Sequence, residues 1–294
     1  MRTVDRPPAL TVVRRTVPAP HGRPATDEPV SDCFACRLTR TRPNDEDAVG
    51  IAEFLSAESA KRHLVVELDT LGFRVVGKDV DPENGLAFDM LSSAEENVVI
   101  GHADGVITID LAETRPEHRE KVRVELDEPY RTMLGHLRHE VGHYYQWQII
   151  VGGPLQEQAR ALFGDERKDY QTELDRHYSQ GPPAHWEHDY ISTYATMHPF
   201  EDFAETFAHH LHISDTIETA RIYGLVPSTL IDTGFRDRVV QVWIPLTVAL
   251  NQINRSMGKE DLYPFVLPPA VLDKLEFVAG LAGLALRADS SSSA

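Results

Sequence analysis

The run His139-Glu140-Val141-Gly142-His143 is where the chain most clearly carries chemistry. Four residues advance a helix by about 400°, so the two imidazoles point the same way, about one turn apart. Two ring nitrogens held like this reach one zinc ion at about 2.0–2.1 Å. Glu140 lies about 100° around the helix from His139. From there a carboxylate takes the proton of a zinc-activated water without displacing that water. The pattern H-E-x-x-H therefore reads as two metal ligands and a general base, and it asks for a third ligand.

The extended pattern H-E-x-x-H-x-x-G-x-x-H would supply that ligand nearby, but Gln146 and Ile149 stand where its Gly and His belong, which excludes it. A carboxylate on a later helix remains, and the best segment is His198-Pro199-Phe200-Glu201-Asp202-Phe203-Ala204-Glu205-Thr206-Phe207-Ala208. Pro199 suits a first helical position, and Glu201 and Asp202 suit a positive helix end. Phe200, Phe203, Phe207 and Leu211 form a packing stripe, while Glu201, Glu205, Ala208 and His212 share another face. The functional reading makes Glu201 the third ligand and Glu205 an acceptor that orients His139 or His143. The bland reading of the same pair is a solvated acidic face. Asp202 and Glu166 are the other candidate ligands.

Tyr194, seven residues before Glu201, reads either as a hydroxyl donor to an oxyanion or as a half-buried core tyrosine. His198 is a second candidate for the donor. His136, one turn before His139, reads as a capping or packing residue. His209, His210 and His212 fall on three helix azimuths and read as lining a solvent-facing surface.

These residues need rigid elements. Met133, Leu134, Leu137, Val141 and Tyr144, with Tyr130 before them, follow helical spacing and predict a helix over 128–150 with one core-facing stripe. Asp127 and Glu128 suit its start, and Gly142 costs helix propensity but removes bulk beside the metal. A helix capped near Ser56 covers Leu64, Val65, Leu68 and Leu71. Short strands are expected over 73–76, 86–90, 98–100 and 106–109, with Asp104-Gly105 as a hairpin turn. Further helices are expected over 116–126, 155–163, 165–178, 199–213, 236–256 and 269–286, the sixth of the seven kinked or split by Pro245. Strands first and helices later give an α+β domain, a small N-terminal sheet followed by a mostly helical C-terminal part. The domain spans 49–287, between a Pro-rich leader over 1–48 and a solvated tail over 288–294.

Composition narrows the function classes. With 46 acidic against 29 basic residues the net charge is −17, a surface that repels phosphate backbones and argues against nucleic-acid partners. The only two cysteines, Cys33 and Cys36, cannot staple a fold, so a disulfide-built secreted architecture is excluded and a cytoplasmic location is expected. No export signal is read at the N-terminus. The most apolar stretch, 239–253, is broken by polar residues and too short for a bilayer, so no membrane partner is expected.

Residues 86–267 resemble a bacterial zinc-binding metallopeptidase family of zincin type. The likeness is carried by Gly101-His102-Ala103-Asp104-Gly105, by Pro129-Tyr130-Arg131 onward to His143-Tyr144-Tyr145, and by Phe163-Gly164-Asp165-Glu166-Arg167 with Asp169-Tyr170. Gln180-Gly181-Pro182-Pro183 and the stretch 192–208 complete it. The resemblance implies a zincin-like domain with H-E-x-x-H on its active helix and names no substrate. The segment 194–207 is also similar to the lethal-factor type of zinc peptidase, where a tyrosine seven residues before the ligand glutamate stabilises the transition state. Carried over, that likeness makes Tyr194 the oxyanion donor and Glu201 the ligand. One departure stands out: many family members begin with a four-cysteine zinc ribbon, whereas here only Cys33-Phe34-Ala35-Cys36 is present, and two thiolates do not close a tetrahedral site.

The expectation is a zinc-dependent peptidase with one catalytic zinc, held by His139, His143 and Glu201. Glu140 is its base, Tyr194 its oxyanion donor and Glu205 a supporting carboxylate, and its partner is a peptide or protein substrate. The strand over 106–109 is the expected edge for that substrate. The rival is a non-catalytic, zinc-stabilised binding protein, whose fourth coordination position would be closed by a group such as His198.

Overall fold

The computed structural model describes residues 32–92, 98, 100–115, 132–227, 233–284 and 286. The expected helix over 116–126, the residues Asp127, Glu128 and Tyr130, and most of the 1–48 leader lie outside them.

Folded structure begins earlier than the proline content suggested. Helix α1 (Phe34–Arg37) leads into strand β1 (Thr39–Thr41). This strand is short and polar, and its place is fixed by long-range contacts: Leu38 O accepts from Phe88 N–H at 2.8 Å, and Arg40 pairs with Asp89. Helix α2 (Ala48–Thr70) starts ahead of Ser56, because the Asp47 side chain caps it by accepting from Gly50 N–H. It buries Leu64, Val65 and Leu68 as its spacing requires.

Strands β2 (Ala87–Leu91), β3 (Gly101–Ala103) and β4 (Val106–Asp110) complete a four-stranded mixed sheet in the order β1-β2-β4-β3. Pairs β1–β2 and β2–β4 are parallel, and β3–β4 is an antiparallel hairpin. The hairpin turns at Asp104-Gly105, both with positive φ (48° and 79°), as the Asp-Gly pair predicts. Three strand expectations change. The strand expected over 98–100 falls at β3 (Gly101–Ala103), and residues 98 and 100 carry no strand. Residues 73–76 form no strand, since Phe73 packs edge-on to Phe207 and against Tyr145 while a lone bridge pairs Gly77 with Leu86. Strand β4 is not an edge, because β2 flanks it on one side and β3 on the other; the edge beside the helices is β3.

The rest is helical: α3 (Met133–Tyr145), α4 (Gln156–Phe163), α5 (Tyr170–Gln180), α6 (Pro199–Ile222), α7 (Phe235–Arg238), α8 (Ile244–Ser256) and α9 (Pro269–Ala279). Helix α3 begins after Thr132, whose hydroxyl accepts from Gly135 N–H at 2.9 Å. A wide π-turn, Val239–Trp243, joins α7 to α8 and absorbs the ring and missing N–H of Pro245. No helix of the described residues is long and apolar enough to cross a membrane.

Helices α3 and α6 cross at Gly142. A Cβ there would stand 3.0 Å from Ala204 Cα and 3.1 Å from Phe207 Cβ. Gly142 thus serves helix contact, where the sequence suggested room beside a metal. The substitution Gly142→Ala is expected to cost about 1–3 kcal/mol by overpacking, read as a lower urea midpoint with unchanged slope.

Helix α6 is enclosed on nearly every side. His209 and His210 are buried and His212 half-buried, which corrects the solvent-facing reading. They join Phe235, Trp243, Tyr263 and Phe265 in an aromatic core, with His210 and Phe235 centroids 4.6 Å apart. Burial, followed by the charge of Arg238, pushes the His210 pKa down to about 3. The unfolded chain therefore takes up a proton near pH 6.5 that the folded protein refuses until about pH 3, and stability falls as pH drops through that window. Below about pH 6, wild type is expected to lose about 1.4 kcal/mol per pH unit more than His210→Phe. Urea melts at pH 7, 5.5 and 4.5 read the difference.

Candidate metal centre

His139 and His143 project from α3 on the face toward α6, and Glu201 meets them from the first turn of α6. His139 Nε2 lies 3.1 Å from His143 Nε2 and 3.0 Å from Glu201 Oε2, and His143 Nε2 lies 3.5 Å from the same oxygen. Donors about 2.0–2.1 Å from a tetrahedral zinc stand about 3.3 Å from one another, so this triangle has the size such an ion requires.

The electrostatics favour a cation. Burial alone would drive the His139 ring neutral, yet hydrogen bonds and charge from Glu201 and Glu205 hold its pKa well above the ordinary value. Burial would likewise raise the pKa of Glu201, but the charge of His143 and the hydrogen bond with His139 hold it well below the usual carboxylate range.

The surrounding contacts fix these groups. Glu205, one turn beyond Glu201, takes His139 Nδ1 at 2.8 Å and accepts from Ser192 Oγ at 2.7 Å. Ser192 Oγ also accepts from Ala195 N–H at 3.1 Å. The same hydroxyl thus ties Glu205 to the turn Tyr194–Thr196, and the Tyr194 ring lies 5.9 Å from that of His139. Tyr170, on α5, donates to Glu201 Oε1 at 3.0 Å and also hydrogen-bonds Tyr194. The sequence assigned Tyr170 no role, and its only signal was its place in the shared Asp169-Tyr170 stretch.

Glu140 faces the cleft from the other side of α3. His136 Nε2 lies 3.2 Å from Glu140 Oε1, and His136 Nδ1 bonds Glu113 Oε2 at 2.6 Å. Against the effect of burial, Glu113 and then Glu140 raise the His136 pKa to about 9, so an imidazolium sits between two carboxylates. Burial disfavours charge on Glu140 as well, but His136, His143 and His139 lower its pKa. Glu140 Oε2 is buried with no hydrogen-bond partner among the described residues, an atom left available for a reacting group. His136 thus packs, as expected, but does so beside Glu140.

Other candidates are engaged elsewhere. Glu166 pairs with Arg160 and Gln156, and Asp202 is buried against Lys274 Nζ at 2.6 Å. His198 caps α6, with Nδ1 accepting from Phe200 N–H and Nε2 donating to Lys168 O. His63, Glu67 and Asp215 also converge, but the Arg138 guanidinium already takes Glu67 at 3.0 Å and Asp215 at 2.8 Å, which supplies the positive charge.

The three converging atoms open onto a cavity of about 450 Å³, also lined by Glu140, Tyr170, Tyr194, His102, Trp147 and Phe200. An α+β domain that brings H-E-x-x-H on one helix against a glutamate of a following helix is a zincin-like metallopeptidase fold. Residues 50–281 match the family described as "Putative zinc-binding metallo-peptidase", and the chain belongs to that family. Uncharacterized proteins of Mycobacterium bovis and Mycobacterium tuberculosis are 51% identical over 253 residues, covering 84% of this chain and 74% of theirs. No solved structure matches the chain.

Proposed function

We propose that this protein is a zinc-dependent peptidase whose single zinc is held by His139, His143 and Glu201. The observation that carries the reading is the convergence of two Nε2 atoms and one carboxylate oxygen within 3.0–3.5 Å of one another, beside a buried Glu140 oxygen that no group of the described residues uses. Zinc, when bound, supplies a Lewis acid for the scissile carbonyl and makes water acidic enough to attack near neutral pH.

The chain's own residues do the rest. Glu140 Oε2 accepts the proton of the attacking water and returns it to the amine nitrogen as the peptide C–N bond breaks. The imidazolium of His136 keeps Glu140 ionised for that task. The Tyr194 hydroxyl donates to the carbonyl oxygen as negative charge builds on it. Glu205 holds the His139 ring in the tautomer that leaves Nε2 free to bind metal, and Tyr170 holds the Glu201 carboxylate from its other oxygen. An extended peptide adds to the outer edge of β3 at the rim of the cleft.

Incubation with a mixed peptide library tests the reading. Cleavage is expected to stop with a chelator and to return with zinc alone. Cleavage indifferent to chelation, or none from zinc-loaded protein, contradicts it.

A further inference from the structure

The Gly101–Gly105 segment lies within the residues that match the family, yet the chemistry above leaves its side chains unused. Strand β3 closes the sheet: its inner edge pairs with β4 through Gly101↔Thr108, His102↔Ile107 and Ala103↔Val106, and among the described residues its outer edge has no partner strand. His102 sits at the middle of that strand and forms part of the cleft wall beside His139, Glu140 and His143.

Its ring is fixed from two directions. The Gly105 N–H, after the positive-φ turn, donates to His102 Nε2 at 3.1 Å. The ring also packs against Tyr144 and Trp147, with centroids 6.0 and 5.6 Å away. A ring nitrogen that accepts a hydrogen bond carries no proton, so in the neutral ring the hydrogen is on Nδ1. Burial, and then the neighbouring His143, push the His102 pKa down to about 4, which keeps that neutral form across physiological pH. No described residue accepts from Nδ1. The protein therefore holds one oriented N–H donor on the outermost strand of the described sheet, where a peptide adding to that strand presents backbone carbonyls.

We propose that His102 is a substrate-binding residue whose Nδ1–H hydrogen-bonds a backbone carbonyl of a peptide lying along β3. This rests on the peptidase reading and extends it: the site selects extended backbone at this position, and the side chains of the bound peptide do not decide the contact. Asn carries its amide nitrogen near the place of His Nδ1, whereas Gln carries its amide near the place of Nε2. The two substitutions therefore separate the donor from mere size and polarity.

The test is equilibrium dialysis of zinc-loaded Glu140→Gln protein against a pool of acetylated, amidated hexapeptides, with zinc content measured on every variant. Adding His102→Phe is expected to weaken peptide retention about 5-fold, the worth of one hydrogen bond, with zinc unchanged. His102→Asn is expected to restore retention to within about 2-fold. If His102→Phe does not fold, His102→Gln takes its place with the same expected loss. Equal retention by the Phe or Gln variant, or no rescue by Asn, overturns the role of His102 while leaving the peptidase reading intact. No retention by Glu140→Gln, together with no cleavage by zinc-loaded wild type, overturns the peptidase reading and this proposal with it.

Discussion

Glu140→Gln is expected to keep its zinc and to lower peptide hydrolysis by about 10²–10⁴-fold, the usual contribution of a positioned general base. Glutamine preserves the shape of the side chain but cannot accept the proton. The loss should fall on kcat, because among the described residues the Oε2 atom has no ground-state partner to lose. The same substitution removes one of the two carboxylates that flank His136, leaving Glu113 as its one ion-pair partner among the described residues. Fold and metal content should survive, since Glu113 keeps the shorter of the two contacts. Kinetics and zinc content measured on the same preparation check both halves. Turnover equal to wild type would remove Glu140 from the role of base.

Glu201→Ala is expected to do the reverse and strip the metal. Its carboxylate supplies one of three converging donors, and its loss leaves two imidazoles, below the three protein ligands of a catalytic zinc site. Glu205→Ala gives the contrast. It removes the partner of His139 Nδ1 and a support of the turn that carries Tyr194, and outer partners of this kind are worth about 10–100-fold in metal affinity. Competition with a chromophoric chelator should therefore rank wild type above Glu205→Ala and Glu205→Ala above Glu201→Ala. Equal affinities for wild type and Glu201→Ala would contradict the ligand set.

The parts of the site set by local spacing were legible in the sequence. One helical turn separates His139 from His143 and Glu201 from Glu205, so each helix announces its own half. Contacts made across the chain were not legible. Tyr170 reaches Glu201 over 31 positions and Glu113 reaches His136 over 23, and neither spacing leaves a periodic trace. Strand β1 was hidden because Thr39-Arg40-Thr41 is short and polar and is held by pairing with β2. The histidines after Glu205 were misread because α6 is enclosed on almost all sides, and a helix buried all round has no polar face to define its azimuths. Gly142 was noticed for its propensity, but its purpose appears only when Ala204 and Phe207 lie against it. The edge of the sheet was placed one strand too far inward, since β3 is only three residues long, lies just before the Asp104-Gly105 turn and carries a weaker strand pattern than β4.

The most direct measurement is anomalous diffraction at the zinc edge from crystals of the zinc-loaded protein. A single strong peak is expected, bounded by His139 Nε2, His143 Nε2 and Glu201 Oε2, with Glu140 facing it. A peak at His63, Glu67 and Asp215, one at Cys33 and Cys36 alone, or none at all would contradict it.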